Sequence, residues 1–181
     1  MGLPNKLKNM NLFNDAESLV GEVAECTLPT LGRNFENWRG GGMNGPVAID
    51  QGMSEDSIDF EWKIGGLNLT SLRQFGITSA SGVLLRFAGA YQQDDTGAVT
   101  PVEVVIRGRH EEISMGTQKP GDDTEQTIKT KWTYYKLTVN GNKEIEIDTL
   151  AMKEIVNGVD RLEAQRKACL LYTSDAADEG L

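Results

Sequence analysis

The residues that carry most site chemistry are scarce in this chain. Its 181 residues include two cysteines, Cys26 and Cys169, and one histidine, His110. A structural zinc site needs four nitrogen or sulfur ligands at recurrent spacings, and no such spacing is present. A Ser-His-Asp triad would have to use His110, which stands among charged residues in RGRHEEIS and is therefore predicted to be a solvated polar residue. The sequence thus excludes a zinc-stabilised fold and indicates no histidine-dependent catalysis.

Long apolar runs are also missing. No stretch reaches the roughly 18 apolar residues that a membrane-spanning helix needs. The N-terminal stretch MGLPNKLKNMNLFNDAE lacks the apolar centre of a signal peptide. We therefore expect a chain made in the cytoplasm, with no membrane insertion.

Positive charge is in deficit, since 18 Lys and Arg residues face 27 Asp and Glu residues and the formal net charge is −9. A protein that grips nucleic acid by neutralising phosphates needs a basic face. The basic residues of this chain are instead dispersed along the sequence, which argues against a nucleic-acid binder.

What the sequence does have is alternation of polar and apolar residues, which is typical of half-buried strands. In SIDFEWKIGG the apolar set is Ile58, Phe60, Trp62 and Ile64, and the polar set is Asp59, Glu61 and Lys63. In VTPVEVVIRGRHEEISM the residues Val102, Val104 and Ile106 alternate with Glu103, Val105 and Arg107. Further strands are predicted in Leu19–Pro29, RNFENW and GVLLRFAGAYQ, and TIKTKWTYYKLTVNGNKEIEID predicts a hairpin turning at Asn140-Gly141.

Helix is limited to two predicted segments. LTSLRQFG would end at Gly76 as its C-cap, and GVDRLEAQRKA would run from Gly158 to Ala168. The predicted fold is one mainly β domain over residues 1–168, an antiparallel sandwich or partial barrel with a flanking helix. A domain of this kind leaves sheet edges open, and a closed ring of subunits would pair them.

The glycine run in RGGGMNGPV suggests three alternatives: a phosphate loop, an oxyanion hole or a connection that must bend. A phosphate loop needs a following Lys and helix, whereas Pro46 follows here. An oxyanion hole would accompany a G-x-S-x-G nucleophile elbow, which the chain lacks. The bent connection is therefore the favoured interpretation.

Carboxylates offer two further candidates. Glu61 with Asp59 or Glu103 could form a catalytic pair, although one polar face of a sheet explains all three residues. The repeated DDT at 94–96 and 122–124 suggests calcium, but calcium loops need a denser set of oxygen ligands, and turn chemistry accounts for both copies.

Aromatic residues keep a binding module open as an alternative. A monomeric β-sandwich could use Trp38, Trp62 or Trp132 for a ligand, and would be a monomer with a ligand-sized pocket. Trp132, Tyr134 and Tyr135 straddle both faces of a predicted strand. That arrangement favours core packing plus an interface over a base-stacking platform.

Four segments together resemble the major tail tube proteins of contractile-tailed phages, which also occur in R-type tailocins and prophage remnants. They are LPNKLKNMNLF, TLPTLGRNFENWRGGGMNGPV, RFAGAYQQDDTGAVTPVEVVIRGRHEEI and YYKLTVNGNKEIEIDTLAMKEIVNGVDRLEAQRK. The resemblance covers residues 3–168 in order. It implies a structural subunit, not an enzyme, with no cofactor and a fold similar to the type VI secretion tube protein.

The resemblance also implies an assembly. Family members form hexameric rings that stack into a hollow tube, whose lumen is lined by strands from every subunit. The implied partners are other copies of the chain, a contractile sheath, a tape measure protein, and baseplate and tail terminator proteins. DNA would pass through the lumen without specific binding. The implied location is the virion tail, and a DNA-free tailocin or secretion-like apparatus is the alternative.

Two groups of residues receive roles in the implied tube, the first from the resemblance and the second from the alternation along the strands. Residues 39–53 resemble an extended hairpin loop that reaches the neighbouring ring, with the stacking role given to Arg39, Gly40, Gly41, Gly42, Met43, Asn44, Gly45, Pro46 and Met53. A mildly negative or neutral lumen wall would let DNA slide, and the expected lumen face carries Asp59, Glu61, Lys63, Glu103 and Arg107. Lys63, Arg86 and Arg107 are expected to partner the acids of that face.

The end of the chain departs from the resemblance. Residues 169–179 resemble, residue for residue, the translation of a transposase-type sequencing adapter. We therefore expect residues 169–181 to be a non-native tail following a tail tube domain of residues 1–168.

Overall fold

The computed structural model describes residues 2–171. Within this range the chain forms twelve strands, two short helices and one 3-10 turn at Glu55–Ile58. The strands are β1 (Asn5–Asn14), β2 (Glu17–Ser18), β3 (Val23–Thr27), β4 (Arg33–Trp38), β5 (Val47–Met53), β6 (Asp59–Gly65), β7 (Val83–Gln93), β8 (Val99–Ser114), β9 (Glu125–Val139), β10 (Asn142–Asp148), β11 (Lys153–Val156) and β12 (Val159–Asp160). The helices are α1 (Leu69–Arg73) and α2 (Glu163–Ala168).

Ten of these strands form one antiparallel sheet, in which eight follow the order β12-β11-β10-β9-β8-β7-β1-β2 and β6 and β3 form a side branch. The sheet forks at β9, because β6 pairs with residues 125–131 and β10 pairs with residues 134–139 on the edge that faces away from β8. β3 then pairs with β6 and extends that arm. The sheet is open rather than closed into a barrel, and the mainly β fold class predicted from the sequence is confirmed.

The sheet curves around one core. Both arms and the strands β1, β7 and β8 contribute to a single apolar cluster whose side chains are 0–6% exposed. Its members are Leu12, Leu19, Phe60, Trp62, Ile64, Val83, Leu85, Phe87, Val104, Ile106, Ile128, Trp132, Tyr135 and Ile147. The predicted alternation is confirmed in β6, where Phe60, Trp62 and Ile64 are buried, and in β8, where Val104 and Ile106 are buried. Ile58, predicted to begin the apolar set, instead lies in the 3-10 turn and is half-buried.

A bulge at Thr133 changes the phase of β9. The register passes from Gly108 opposite Trp132 to Arg107 opposite Tyr134, so that Thr133 is the additional residue. Because of this extra residue, Trp132 and Tyr135 both point into the core, with ring centroids 5.3 Å apart. A Cβ at Gly108 would overlap the Lys131 carbonyl oxygen, so this position requires glycine.

The local turn and helix predictions have mixed outcomes. Asn140 and Gly141 have φ of 52° and 81°, as the predicted type I′ hairpin requires. The predicted helix over 158–168 is wrong in its first half, because Val159 and Asp160 form β12. The Asp160 carboxylate accepts hydrogen bonds from the Leu162 N–H and the Arg166 guanidinium, and α2 begins only at Glu163. The strand predicted over 19–29 is limited to β3.

Candidate functional site

The strands β4 and β5 form a hairpin that is separate from the main sheet. Among residues 2–171 they pair only with each other, and all six residues of β4 are exposed. A two-stranded ribbon of this kind is marginally stable by itself in water. The hairpin is therefore the part of the described chain that most clearly needs a partner.

One surface of the hairpin is apolar. Trp38 lies opposite Val47 and Glu36 lies opposite Ile49, so these four side chains share one face, which we call the hairpin face. Trp38, Val47 and Ile49 are 60%, 53% and 43% exposed. Adjacent exposed apolar side chains of this kind mark an interaction surface.

The glycine run forms the tip of the hairpin. The Met43 N–H donates to the Gly40 carbonyl over 3.3 Å and closes a four-residue turn. Gly42, the third residue of that turn, has φ of +82°, which suits glycine in a type II turn. Arg39 Nε donates to the Met43 carbonyl over 3.1 Å. Of the predicted stacking residues, 39–46 thus make up the tip, whereas Met53 lies at the base, opposite Arg33.

A charged clasp holds the base of the hairpin. Arg33 Nε lies 2.8 Å from Asp50 Oδ2, and Arg33 Nη1 lies 2.5 Å from Glu154 Oε1 on β11. The Gly52 N–H and the Arg33 guanidinium together lower the pKa of Asp50. The clasp ties β4 both to its hairpin partner and to the body of the molecule.

A second exposed apolar surface lies on the segment around α1. Leu67, Leu69 and Phe75 are 63%, 52% and 68% exposed, and Arg73 is exposed beside them in the sequence. We call the surface formed by Leu67, Leu69, Arg73 and Phe75 the α1 face. The opposite side of this segment is buried and polar, and consists of Asn68, Ser71 and Gln74.

A buried hydrogen-bond network anchors the α1 segment, and it corrects the prediction made for His110. The imidazole is 8% exposed, with Nε2 2.8 Å from Gln74 Oε1 and Nδ1 2.9 Å from Thr130 Oγ1. Gln74 also donates to Asn14 Oδ1 over 2.8 Å. An amide oxygen can only accept, so Nε2 carries the proton and Nδ1 accepts from Thr130.

Burial lowers the pKa of His110 to about 4, and the negative charge of Asp15 opposes this shift. The prediction of a solvated histidine was wrong because it relied on the charged neighbours in sequence. His110 continues the inward phase of Val104, Ile106 and Gly108 along β8. Extending that alternation by two residues would have placed it correctly.

The residues predicted to face the lumen share the outward side of the sheet but form two groups. Asp59, Glu61 and Lys63 lie on β6, beside the first half of β9. Glu103 and Arg107 lie on β8, opposite Thr138 and Tyr134 in its second half.

The partners of these residues agree only partly with expectation. Arg86 Nη2 lies 2.9 Å from Glu103 Oε2, as expected. Asp59 pairs with Lys131 instead, and Lys63 Nζ lies 4.0 Å from Glu125 Oε1. Among the described residues, Arg107 has no ion-pair partner.

The metal-binding and membrane-spanning alternatives have no support in residues 2–171. In that range no three His, Cys, Asp or Glu side chains are grouped so as to hold a metal ion. Asp94 instead pairs with Lys8 at 2.9 Å, and Asp122 lies 3.8 Å from Lys119. No helix in the same range has the length and apolarity to cross a membrane.

Comparisons with known proteins identify the family. The family model for phage tail tube protein FII matches residues 4–169. The tail tube protein of Escherichia phage P2 is 46% identical over 168 residues, covering 92% of this chain and 98% of the relative. The major tail tube protein of Serratia phage KSP20 is 37% identical over 150 residues, covering 83% and 86%.

A solved structure supports the fold. A chain in the 6-fold symmetrised cryo-EM structure of the anti-feeding prophage baseplate has a TM-score of 0.51 and 10% identity, covering 71% of this chain and 90% of that one. At this identity the likeness concerns the fold alone. The family model and the two phage relatives show that the chain belongs to the phage tail tube protein FII family and is a structural component of the virion tail rather than an enzyme, as the sequence resemblance predicted.

Proposed function

We propose that this chain is the subunit of the inner tube of a contractile phage tail, and that its hexameric rings stack into a hollow conduit for the genome. The observation that carries the proposal is the hairpin of β4 and β5, which leaves Trp38, Val47 and Ile49 exposed. Covering these side chains removes apolar surface from water, which is the main favourable term in protein association. Repeated copies of one chain supply such a cover at every subunit.

In this proposal the hairpin connects neighbouring rings. Its tip, residues 39–46, contains four glycines, which permit close approach between backbones. In the part of the chain that the structure describes, the sheet also ends in unpaired edges at β12, β2 and β3. Edge strands pair readily with another chain, and closing them within a ring prevents uncontrolled association.

The outward face of the sheet would line the lumen. The acids Asp59 and Glu103 there are balanced by Lys131 and Arg86. A wall of balanced charge attracts DNA phosphates weakly, so that the genome can move without adhering. Sheath, tape measure, baseplate and terminator proteins are the further partners that the resemblance implies.

The test is direct imaging of assembly. The full chain and a chain of residues 1–168 are imaged by negative-stain electron microscopy at rising concentration, with sedimentation in parallel. We expect rings or hollow tubes, and assembly of only the shorter chain would show that residues 169–181 obstruct it. If both chains stay monomeric at every concentration, even with a baseplate initiator supplied, the tube proposal fails and a monomeric binding module is favoured.

A further inference from the structure

We infer that the hairpin face of one subunit docks on the α1 face of another copy of this chain. The inference rests on the proposed function, because it takes the partner to be a second tube subunit. It adds the acceptor surface, for which neither the family match nor the fold gives any indication.

No part of residues 2–171 covers the hairpin face. The hairpin is joined to the body at its base, through the pairs that Arg33 forms with Asp50 and Glu154. Trp38 and Val47 lie at the other end of the ribbon, next to the tip. A ribbon of six or seven residues extends about 20 Å at roughly 3.3 Å per residue, so its far end stands away from the clasp.

The α1 face is a suitable acceptor because it is apolar on the outside and rigidly held on the inside. Leu67, Leu69 and Phe75 supply the exposed apolar area. The Asn68 side chain caps the helix by accepting from the Ser71 N–H over 2.9 Å. Gln74 is fixed by its bonds to Asn14 and His110. A surface whose backbone is fixed in this way loses little conformational entropy when it binds.

The charges on the two faces are complementary. Glu36 is exposed on the hairpin face and Arg73 is exposed on the α1 face, and neither has an ion-pair partner within residues 2–171. A second pair of opposite charges flanks the first. Arg39 stands where the hairpin tip begins, and Glu17 lies beside α1, where its carboxylate accepts from Thr70 Oγ1 over 2.6 Å. Opposite charges at matching apolar surfaces fix the orientation of docking.

Another exposed apolar group fits less well. Leu3, Leu7 and Val99 are exposed near the outer ends of β1 and β8. The acids beside them are already engaged, since Asp94 pairs with Lys8 and Asp95 accepts from the Leu3 N–H. This group offers the exposed Lys6 opposite Glu36, but its two acids are held by a lysine and by the backbone and so do not provide the second charge pair that Arg39 needs.

The two faces are different surfaces of one chain, so their contact is heterologous. Heterologous contacts join subunits head to tail, and they close into rings or continue along a stack. A contact of two hairpin faces with each other would instead be isologous and would stop at a dimer. The number of subunits joined therefore distinguishes the two arrangements.

Cross-linking of paired cysteines tests the contact. The full chain carries Cys26→Ser and Cys169→Ser, and then Val47→Cys together with Leu69→Cys. Burial raises the pKa of the native Cys26 thiol to about 12, so its replacement removes a poorly reactive group. After mild oxidation of assembled protein, we expect a ladder of covalent oligomers beyond the dimer on a non-reducing gel.

The matched control pairs Val47→Cys with Val99→Cys, and we expect no ladder from it. Tubes that give a ladder with Val99→Cys but none with Leu69→Cys would overturn the docking inference and leave the tube proposal intact. A parent that neither assembles nor cross-links, both as the full chain and as residues 1–168, would overturn both.

Charge reversal provides a second test that does not depend on cysteine chemistry. Glu36→Arg and Arg73→Glu should each raise the concentration needed for assembly by a few-fold, because each places like charges opposite one another. The double variant restores the opposite charges and should recover most of the loss. Equal thermal melting of the monomers is the control for folding, and a double variant that is worse than either single variant contradicts the pairing.

Discussion

The main sheet and the β4–β5 hairpin both consist of strands with alternating apolar residues, yet those residues are buried in the sheet and exposed on the hairpin. Trp62 in β6 is fully buried, whereas Trp38 in β4 is mostly exposed. Within residues 2–171, β6 has a neighbour on each edge and a core beneath it, whereas β4 pairs with β5 alone and covers no core. The comparison shows that alternation decides which side chains share a face, while topology decides whether that face is buried in the same chain or left for another.

The largest expected effect separates these two tryptophans. Trp62→Ala should lower the free energy of unfolding of the monomer by about 3–5 kcal/mol, because it leaves a cavity in the core. Trp38→Ala should change it by no more than about 0.5 kcal/mol but should weaken assembly. Urea unfolding and electron microscopy measure the two properties. Equal destabilisation of the monomer by both substitutions would remove the distinction between sheet and hairpin.

The next effect concerns pH and the anchored α1 segment. His110 has a pKa of about 4 when folded, against its ordinary 6.5, so between these values the unfolded chain binds a proton that the folded chain excludes. The contribution of the neutral His110 to the free energy of unfolding is therefore fully present above pH 6.5. It falls by about 3 kcal/mol in all as the pH drops towards 4.

Urea unfolding between pH 4 and 7 measures this dependence, and His110→Gln is the matched control because it keeps hydrogen-bonding atoms without titrating. We expect the variant to lose most of the slope in this interval. A slope that persists in full would assign the pH dependence to other groups.

A smaller effect is expected from two glycines. Gly108→Ala should cost about 1–3 kcal/mol, because the added Cβ would meet the Lys131 backbone beneath the Thr133 bulge. Gly41→Ala at the hairpin tip meets no atom within 4 Å and should change the stability of the monomer by less than about 0.5 kcal/mol. Thermal or urea unfolding gives both values, and a larger cost at Gly41 would show that the tip is packed against the body.

The smallest effect on stability is expected at the clasp. Arg33→Gln removes two partly exposed ion pairs and should lower the free energy of unfolding by about 1 kcal/mol or less. Since those pairs join the hairpin to β11, faster amide hydrogen exchange in β4 and β5 should accompany the substitution. Unchanged exchange there would show that backbone pairing alone orients the hairpin.

Much of the sheet was predictable because its signals are local. The period of two in β6 and β8 and the Asn140-Gly141 turn depend on neighbouring residues in the chain. The bulge at Thr133 was not predictable, because it depends on how Trp132 packs over Gly108 on another strand. The early start predicted for α2 failed for a similar reason, since Asp160 is held by Arg166 and not by a helical turn.

The candidate site was likewise predictable only where its signals are local in the sequence. That the glycine run is a bend and not a phosphate loop followed from the absence of Lys and from Pro46. The position of the glycines at the tip between two strands needed the register of Trp38 with Val47. The α1 face could not be found from the sequence, because Leu69 and Phe75 are exposed only once Gln74 turns inward to meet His110.

The forked position of β9 has a mechanical consequence. This strand is hydrogen-bonded along one edge by β8, and along the other by β6 and then β10. Antiparallel hydrogen bonds run perpendicular to the strands, so a pull along β9 loads all three neighbours in shear at the same time. Among residues 2–171 the β4–β5 ribbon has no further strand beside it, so only one ladder resists a sideways load at its tip. The sheet around β9 is therefore stiffer than the β4–β5 hairpin. A load applied to the chain would deform the hairpin before it deforms the sheet.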